Sequence, residues 1–462
     1  MEQTTAKKNK YEIDMCNGTI MDKLISFSLP LMLSGILQLM FNAVDIIVVG
    51  RFSGSQALAA VGSTSALINV FTNLFIGISL GANVLTARFY AAGREKEVSE
   101  TVHTAITLAL VSGIVMALVG LVFSRGALAL MGTPDDVIGL SALYMRIYFL
   151  GMPFFMLYNY GAAILRAVGD TKRPLLFLMI AGVINACLNM VLVIVFKLGV
   201  AGVAIATVIS QMISCVLVLR CLCRSESSYR LRFSELGMKG YYLKQIFSVG
   251  VPAGIQSTVI NFSNVLLQSS VNSFGSTAMA GYTAANNLLG FLYVSVNSIT
   301  QACMSFTSQN YGVGKLKRMD RVLADCMILS VVVAVALGCI CYGFGPEILQ
   351  IYTEDAEVIA CGMEILAYTT ITYFLCGWMD LFPGALRGMG YSAVPMVLSV
   401  IGTVGTRVVW IFGIFPYHRS LAILFISYPA SWIITIVLQV ICFYFVRRRV
   451  HRRSQALAGQ EG

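Results

Sequence analysis

The sequence predicts an all-α membrane protein: twelve transmembrane helices in two six-helix bundles, related by a parallel internal repeat with a pseudo-two-fold axis along the membrane normal. Three observations carry this. Hydrophobic residues make up 57% of the 462 positions and charged residues only 12%, against about 25% charged in soluble domains. Mean hydropathy is +0.79. Apolar runs of about 20 residues, the length a span needs, recur along the chain, and its second half repeats the pattern of its first.

The runs lie at roughly 24–49, 57–82, 101–124, 137–160, 175–196, 200–222, 246–271, 278–303, 322–344, 358–383, 393–414 and 421–446, which is twelve by that length rule. Connections as short as Lys197-Leu198-Gly199 force neighbouring spans to run antiparallel. The polar segment 1–23 lacks the apolar stretch of a cleaved signal peptide and is expected to stay attached. The basic segment 223–245 reads as a linker between an N-terminal lobe, 24–222, and a C-terminal lobe, 246–446. A basic tail, 447–462, completes the sequence.

Orientation comes from Lys and Arg, which concentrate in cytoplasmic loops. With both termini inside, the internal segments hold 4, 3, 3, 6, 4, 1 and 5 of them, 26 in all. The external loops hold only Arg51, Arg125, Lys197 and Arg419, while Arg146 and Arg407 fall within spans. This places a multi-pass protein in the cytoplasmic membrane with both termini cytoplasmic.

The halves match at an offset of 275 − 54 = 221. Gly54 pairs with Gly275, Ala57 with Ala278, Tyr90 with Tyr311, Gly93 with Gly314 and Lys96 with Lys317. The strongest block is LRAVGDTKRP (165–174) against LRGMGYSAVP (386–395). Six spans per half is an even number, so both copies keep one orientation, the parallel-repeat plan of secondary transporters with a substrate path between two bundles.

Span 1 carries an acid near the end of its apolar run. At about 100° per residue, Ser34, Gln38, Asn42 and Asp45 fall at roughly 0°, 40°, 80° and 20°, one narrow polar face. A lipid-facing Asp costs about 2.5–3.5 kcal/mol on insertion scales, and such residues mark ion or substrate pathways. Span 7 repeats the stripe with Ser257, Asn261, Asn264 and Gln268. Span 8 has Asn286, Tyr293, Asn297 and Gln301, and span 5 has Asn185 and Asn189 one turn apart. Interhelical hydrogen bonding, worth about 0.6 kcal/mol on average, accounts for any one stripe, whereas stripes in both halves point to a polar cavity.

Span 4 adds Tyr144, Tyr148, Met152 and Phe155 on one face, with Asn159 beyond. These residues suit an aromatic or cationic ligand and suit ordinary helix packing equally. Asp380 and Arg407, on consecutive spans 10 and 11, are expected either as a structural ion pair or as a second coupling site. Pro30 and Pro252 each remove a backbone hydrogen bond early in spans 1 and 7 and permit bending.

Other chemistries are excluded by what the pattern lacks. The net charge of +10 resides in loops and forms no basic face for nucleic acid. There is no G-x-x-x-x-G-K-[ST] phosphate loop. Cys221-Leu-Cys223 has no second pair at zinc-ligand spacing, and the twelve Cys read as small packing residues. His103, His418 and His451 are isolated. An enzyme is not expected.

The Pro30–Arg51 helix with Val44-Asp45, the twin loops, and Asn185-x-x-x-Asn189 followed by GVAGVAIATVIS (199–210) resemble the multidrug and toxic compound extrusion (MATE) family, over about 20–450. The resemblance implies a monomeric antiporter in the lipid bilayer that exports drug-like small molecules in exchange for H⁺ or Na⁺, with no other cofactor. It implies that Asp45 is the coupling-ion site, with Asn185, Asn189 and Thr207 as neighbours. Many members carry Asp where this chain has Asn189. A lone carboxylate favours a proton over a sodium ion held by paired acids. A lipid-linked precursor flippase of related fold is the rival reading; it predicts several arginines in the spans.

Overall fold

The computed structural model describes residues 10–458. These residues form helices joined by short turns, with no strand among them. In the first half the helices are α1 (Met21–Phe52), α2 (Ser55–Ala91), α3 (Glu95–Leu130), α4 (Asp135–Leu150), α5 (Met152–Ala167), α6 (Lys172–Asn189) and α7 (Gly199–Cys223). In the second half they are α8 (Gly240–Asn272), α9 (Ser276–Gly312), α10 (Leu316–Gly343), the short α11 (Gly345–Gln350), α12 (Ala356–Thr369), α13 (Tyr373–Gly388), α14 (Ala393–Ser399), α15 (Thr406–Val409) and α16 (Leu421–Ala458).

Each of the twelve apolar runs falls on one helix or one broken helix. The helices outlast the apolar runs by several residues because polar ends suit water and headgroups: α1 has Asp22 in its first turn and Arg51 in its last, each opposing the helix dipole. Among the described residues, eight helices are long and apolar enough to cross a membrane, and two bent pairs bring the number to ten. The remaining two, α8 and α9, are long but rich in Ser, Asn and Gln.

Spans 4 and 10 are not straight. α4 and α5 meet at 47°, and α12 and α13 at 50°. Pro153 at the start of α5 cannot bond back to the preceding turn, which explains the first bend. α6 runs into a π-helical segment, Met190–Val195, and α15 lies between two more, Val400–Gly405 and Trp410–Ile414. Such wide turns are rare and cluster at functional sites.

The repeat is visible in the backbone itself. Gly54 and Gly275 have φ of 86° and 100°, Gly93 and Gly314 have 67° and 71°, and Gly169 and Gly390 have 96° and 91°. Every pair is 221 apart. A side chain would strain these left-handed turns, so glycine at matched positions ends or begins matched helices.

Packing divides the chain into two compact units. One comprises the chain up to Ile13 and Leu33–Val251; the other comprises Asp14–Met32 and everything from Pro252. The division falls within α1, just beyond Pro30, and within α8, just before Pro252. The first turns of α8 therefore count with the first unit, where Phe89 and Tyr242 meet edge to face at 6.1 Å. The first turns of α1 count with the second, where Phe27 and Phe306 do the same at 5.6 Å. The first unit's core includes the fully buried Phe149, Met152, Met156 and Tyr160, and the second's includes Phe425, Trp432 and Tyr282.

Small residues let helices touch. A Cβ on Gly81 of α2 would overlap the carbonyl oxygen of Ile246 on α8 and stand 3.1 Å from the nitrogen of Gly250. Gly126 on α3 has nothing within 4 Å of the same atom. Gly81→Ala is expected to cost about 1–3 kcal/mol through overpacking. Gly126→Ala should instead raise stability by about 0.5–1 kcal/mol through helix propensity. Melting temperatures of the two purified variants should move in opposite directions, and equal shifts would show that α2 and α8 do not approach this closely.

Candidate functional site

Two polar clusters stand out, one in each unit. In the first, α1, α4, α6 and α7 converge on Asp45. Asn189, at the end of α6, donates from Nδ2 to Asp45 Oδ1 and also to Asn185 Oδ1, the latter at 3.2 Å. The hydroxyl of Thr207 on α7 also lies within hydrogen-bonding reach of the carboxylate. Asn185 and Asn189 are buried while Asp45 is half-buried. α6 comes close to α1 because a Cβ on Gly182 would strike the ring of Phe41, one turn before Asp45.

The tyrosines of α4 close the same cluster. Tyr144 and Tyr148 stack with centroids 6.1 Å apart and planes at 30°. Both lie in the electrostatic field of Asp45, and the Tyr148 hydroxyl lies within reach of Gln211 of α7. The sequence suggested the tyrosines for a substrate cavity and the family resemblance suggested Asp45 for a coupling site; the structure brings these residues together. Asp45 is the one carboxylate among these neutral groups. Hydrogen bonds to an ionised group contribute about 1.5–3 kcal/mol each, which offsets part of the cost of burying the charge. Asn189 Oδ1 is buried with no partner. It is an oxygen to which a protonated Asp45 or a small cation could bond after the amide turns. The described residues contain no group of three His, Cys, Asp or Glu that could hold a metal ion.

The second cluster overturns the expected pairing of Asp380 with Arg407. No carboxylate lies within salt-bridge distance of Arg407 among the described residues. Its guanidinium donates from Nη1 to Ser263 Oγ at 2.8 Å and Asn264 Oδ1 at 2.7 Å, and from Nε to Ser431 Oγ at 3.4 Å. It also stands 4.7 Å from the centroid of the Tyr428 ring. Asp380 interacts instead with Arg387 of its own helix. Seven residues at about 100° each return to within about 20° of the same face, a relation that reading consecutive spans as partners overlooked. Arg387 in turn donates to Gln256 Oε1 at 2.6 Å, and Tyr293 senses both charges.

The other stripe residues are not gathered. Asn159 donates to Phe155 O of its own helix at 2.8 Å, and Gln301 donates to Asn297 Oδ1 at 3.0 Å. Gln38, Asn42, Asn261 and Tyr293 are exposed and Gln268 is half-buried. Sequence reasoning missed Ser263, Tyr428 and Ser431 as partners of Arg407. The offset held the signal, since 207 + 221 = 428 and 210 + 221 = 431: Thr207 beside Asp45 has Tyr428 beside Arg407 as its twin.

This chain is similar to Probable multidrug resistance protein YoeA of Bacillus subtilis, 32% identical over 434 residues that cover 92% of this chain and 93% of the relative. It is also similar to Multidrug export protein MepA of Staphylococcus aureus, 22% identical over 82% of this chain and 84% of the relative. Its fold matches a solved structure described as the outward-facing conformation of a multidrug resistance MATE family transporter, with a TM-score of 0.87, 19% identity, and coverage of 97% of this chain and all of that one. The MatE family model matches twice, over residues 30–191 and 252–412, one match to each half of the repeat. With both halves matched and a relative aligned over nearly its whole length, the chain belongs to the MatE family and is a multi-pass membrane transporter of that family.

Proposed function

We propose that this protein is a secondary active efflux transporter of the cell membrane, working as a monomer with both termini cytoplasmic. It exports amphipathic, cationic or aromatic small molecules in exchange for a proton bound at Asp45. The multidrug names of its relatives support the cargo. The observation that carries the coupling role is the Asp45 cluster: one carboxylate, held by Asn189, with Thr207 alongside, and faced by two tyrosines.

The chemistry follows from charge. Ionised Asp45 accepts from Asn189, with the Thr207 hydroxyl, which donates to Val203 O at 2.9 Å, alongside, and attracts a cationic or aromatic cargo to the stacked Tyr144 and Tyr148. Protonation makes it a donor and cancels its charge, so the Asn189 bond to the ionised form is lost and the attraction falls. Asp45 lies on α1, the helix that Pro30 leaves short of a backbone bond. A change in its tie to α6 can therefore shift α1 without breaking a regular helix. Exchange needs only that proton and cargo favour opposite conformations. A lone carboxylate with an amide N–H turned toward it favours a proton over sodium as the partner ion.

In everted vesicles, Asp45→Asn should abolish uptake of a fluorescent cation driven by a pH gradient, a loss of at least about tenfold. Cation binding to the purified wild type should weaken as pH falls, and Asp45→Asn should bind independently of pH. Gradient-driven uptake that survives Asp45→Asn intact would refute the coupling role.

Asn189→Asp adds a second carboxylate to a cluster that already offers the oxygens of Asn185 and Thr207. Sodium should then stimulate uptake in the variant but not in the wild type, read by varying sodium at fixed pH. Equal sodium dependence in both would show that the residue at 189 does not select the ion.

A further inference from the structure

Arg407 stands on the helices that the repeat pairs with those of the Asp45 cluster, although not at matched positions: at the offset of 221, Arg407 pairs with Ala186 and Asp45 with Leu266. In the first unit, span 1 supplies the acid and span 5 the amide, with Thr207 of span 6 alongside. In the second unit, span 7 supplies the amide, Asn264, and span 11 a base, Arg407, with Tyr428 of span 12 alongside. The same three helices of each repeat thus carry charges of opposite sign.

Arg407 is 3% exposed, yet no carboxylate among the described residues pairs with its charge. Nη1 and Nε are engaged by neutral oxygens. Nη2 has no hydrogen-bond partner among the described residues and is not among the atoms sealed from accessible space. Ser263 and Ser431 spend their own protons on Ile260 O at 2.9 Å and Tyr428 O at 2.8 Å, so they add no acid. Tyr282 and Tyr428 share one hydrogen bond, hydroxyl to hydroxyl at 3.0 Å, which leaves one phenolic proton to spare. Tyr373 and Trp432 complete an apolar wall, edge to face at 5.6 Å. The cluster is therefore rich in donors, positive, and without an acceptor that carries charge. A planar guanidinium with a free N–H edge and a neighbouring O–H matches a carboxylate.

We propose that Arg407, with the Tyr282–Tyr428 hydroxyl pair, is an anion-recognition site in the C-terminal unit, taking the carboxylate of an amphipathic substrate. The cargo then includes zwitterions and organic anions as well as lipophilic cations. This rests on the proposed efflux function and narrows its substrate class.

The test uses a fluorescent rhodamine with a free benzoate and the methyl ester of the same dye, which differ only in the anionic group. Binding to the purified full-length protein and uptake into everted vesicles are both measured. In Arg407→Gln, which keeps an amide for Ser263 and Asn264, the acid-to-ester affinity ratio should fall at least about tenfold, the size expected for loss of one charge-assisted contact. Arg407→Lys should retain part of the preference, and Tyr282→Phe should reduce it to a smaller degree by removing a phenolic proton. An unchanged ratio in Arg407→Gln protein that still melts cooperatively overturns the site. So does a chloride-dependent rise in melting temperature, lost in Arg407→Gln, without competition from the benzoate dye; that result assigns the site to a small inorganic anion. If the wild type transports neither dye, the efflux function and this site fall together. Transport of the ester with no effect of Arg407 on the ratio removes the site alone.

Discussion

The governing constraint is the cost of placing an unbalanced charge inside an apolar slab. A membrane span satisfies its backbone internally, so helices of this kind need no side-chain polarity to form. Any charge within them must be held by neighbours, and the neighbours then determine what the charge can do. Asp45 and Arg407 are both treated this way. Each is surrounded by neutral hydrogen-bonding groups rather than by an opposite charge. A full ion pair would have been balanced but inert toward a ligand. A charge balanced only by dipoles keeps an unmet demand for a counterion, which is the property a binding site requires.

The folded frame is over-determined by comparison, and most of it was legible. Long apolar runs, matched glycines and the Lys and Arg bias each constrain the same twelve-pass plan, and the left-handed Gly54 and Gly275, Gly93 and Gly314, Gly169 and Gly390 repeat it in the backbone. Helical spacing singled out Asp45 but grouped it with Gln38 and Asn42 of its own helix; its partner Asn189 on α6 came from the family resemblance. What was not legible depended on rotation between helices. The assignment of Asp380 to Arg407 assumed that consecutive spans present facing charges. The structure turns Arg407 toward α8 and α16 and leaves Asp380 with Arg387 on its own helix. The bends at Gly151 and near Thr370, and the π-helical turns beside Asn189 and Arg407, change helix rotation by fractions of a turn that a hydropathy pattern does not encode.

The repeat supplies the deeper reason for the difference between the units. Duplication copies helix lengths, turn glycines and close contacts, because each is needed to pack six helices again. It places no such demand on the few positions that face polar space. On those helices the copies differ in sign, at positions that the repeat does not match: acid on span 1 with an amide on span 5, against amide on span 7 with a base on span 11. The identity of the residue at Thr207 and Tyr428 changes with the charge beside it, a hydroxyl able to bond a carboxylate in one case and an aromatic face able to carry a guanidinium in the other.

The two charges also differ in what they can do with protons. A carboxylate exists in two charge states that cells can reach, whereas a guanidinium keeps its proton throughout that range. A group that changes charge can exchange energy with an ion gradient, and one that does not can only select. Coupling and selection therefore require different chemistry, and a chain that carried the same residue in both repeats would have to perform both with one. Under the proposed function, dividing them between unequal copies of one frame removes that conflict, because the charge of Asp45 would be cancelled in each cycle while Arg407 would go on presenting the same donors to the cargo.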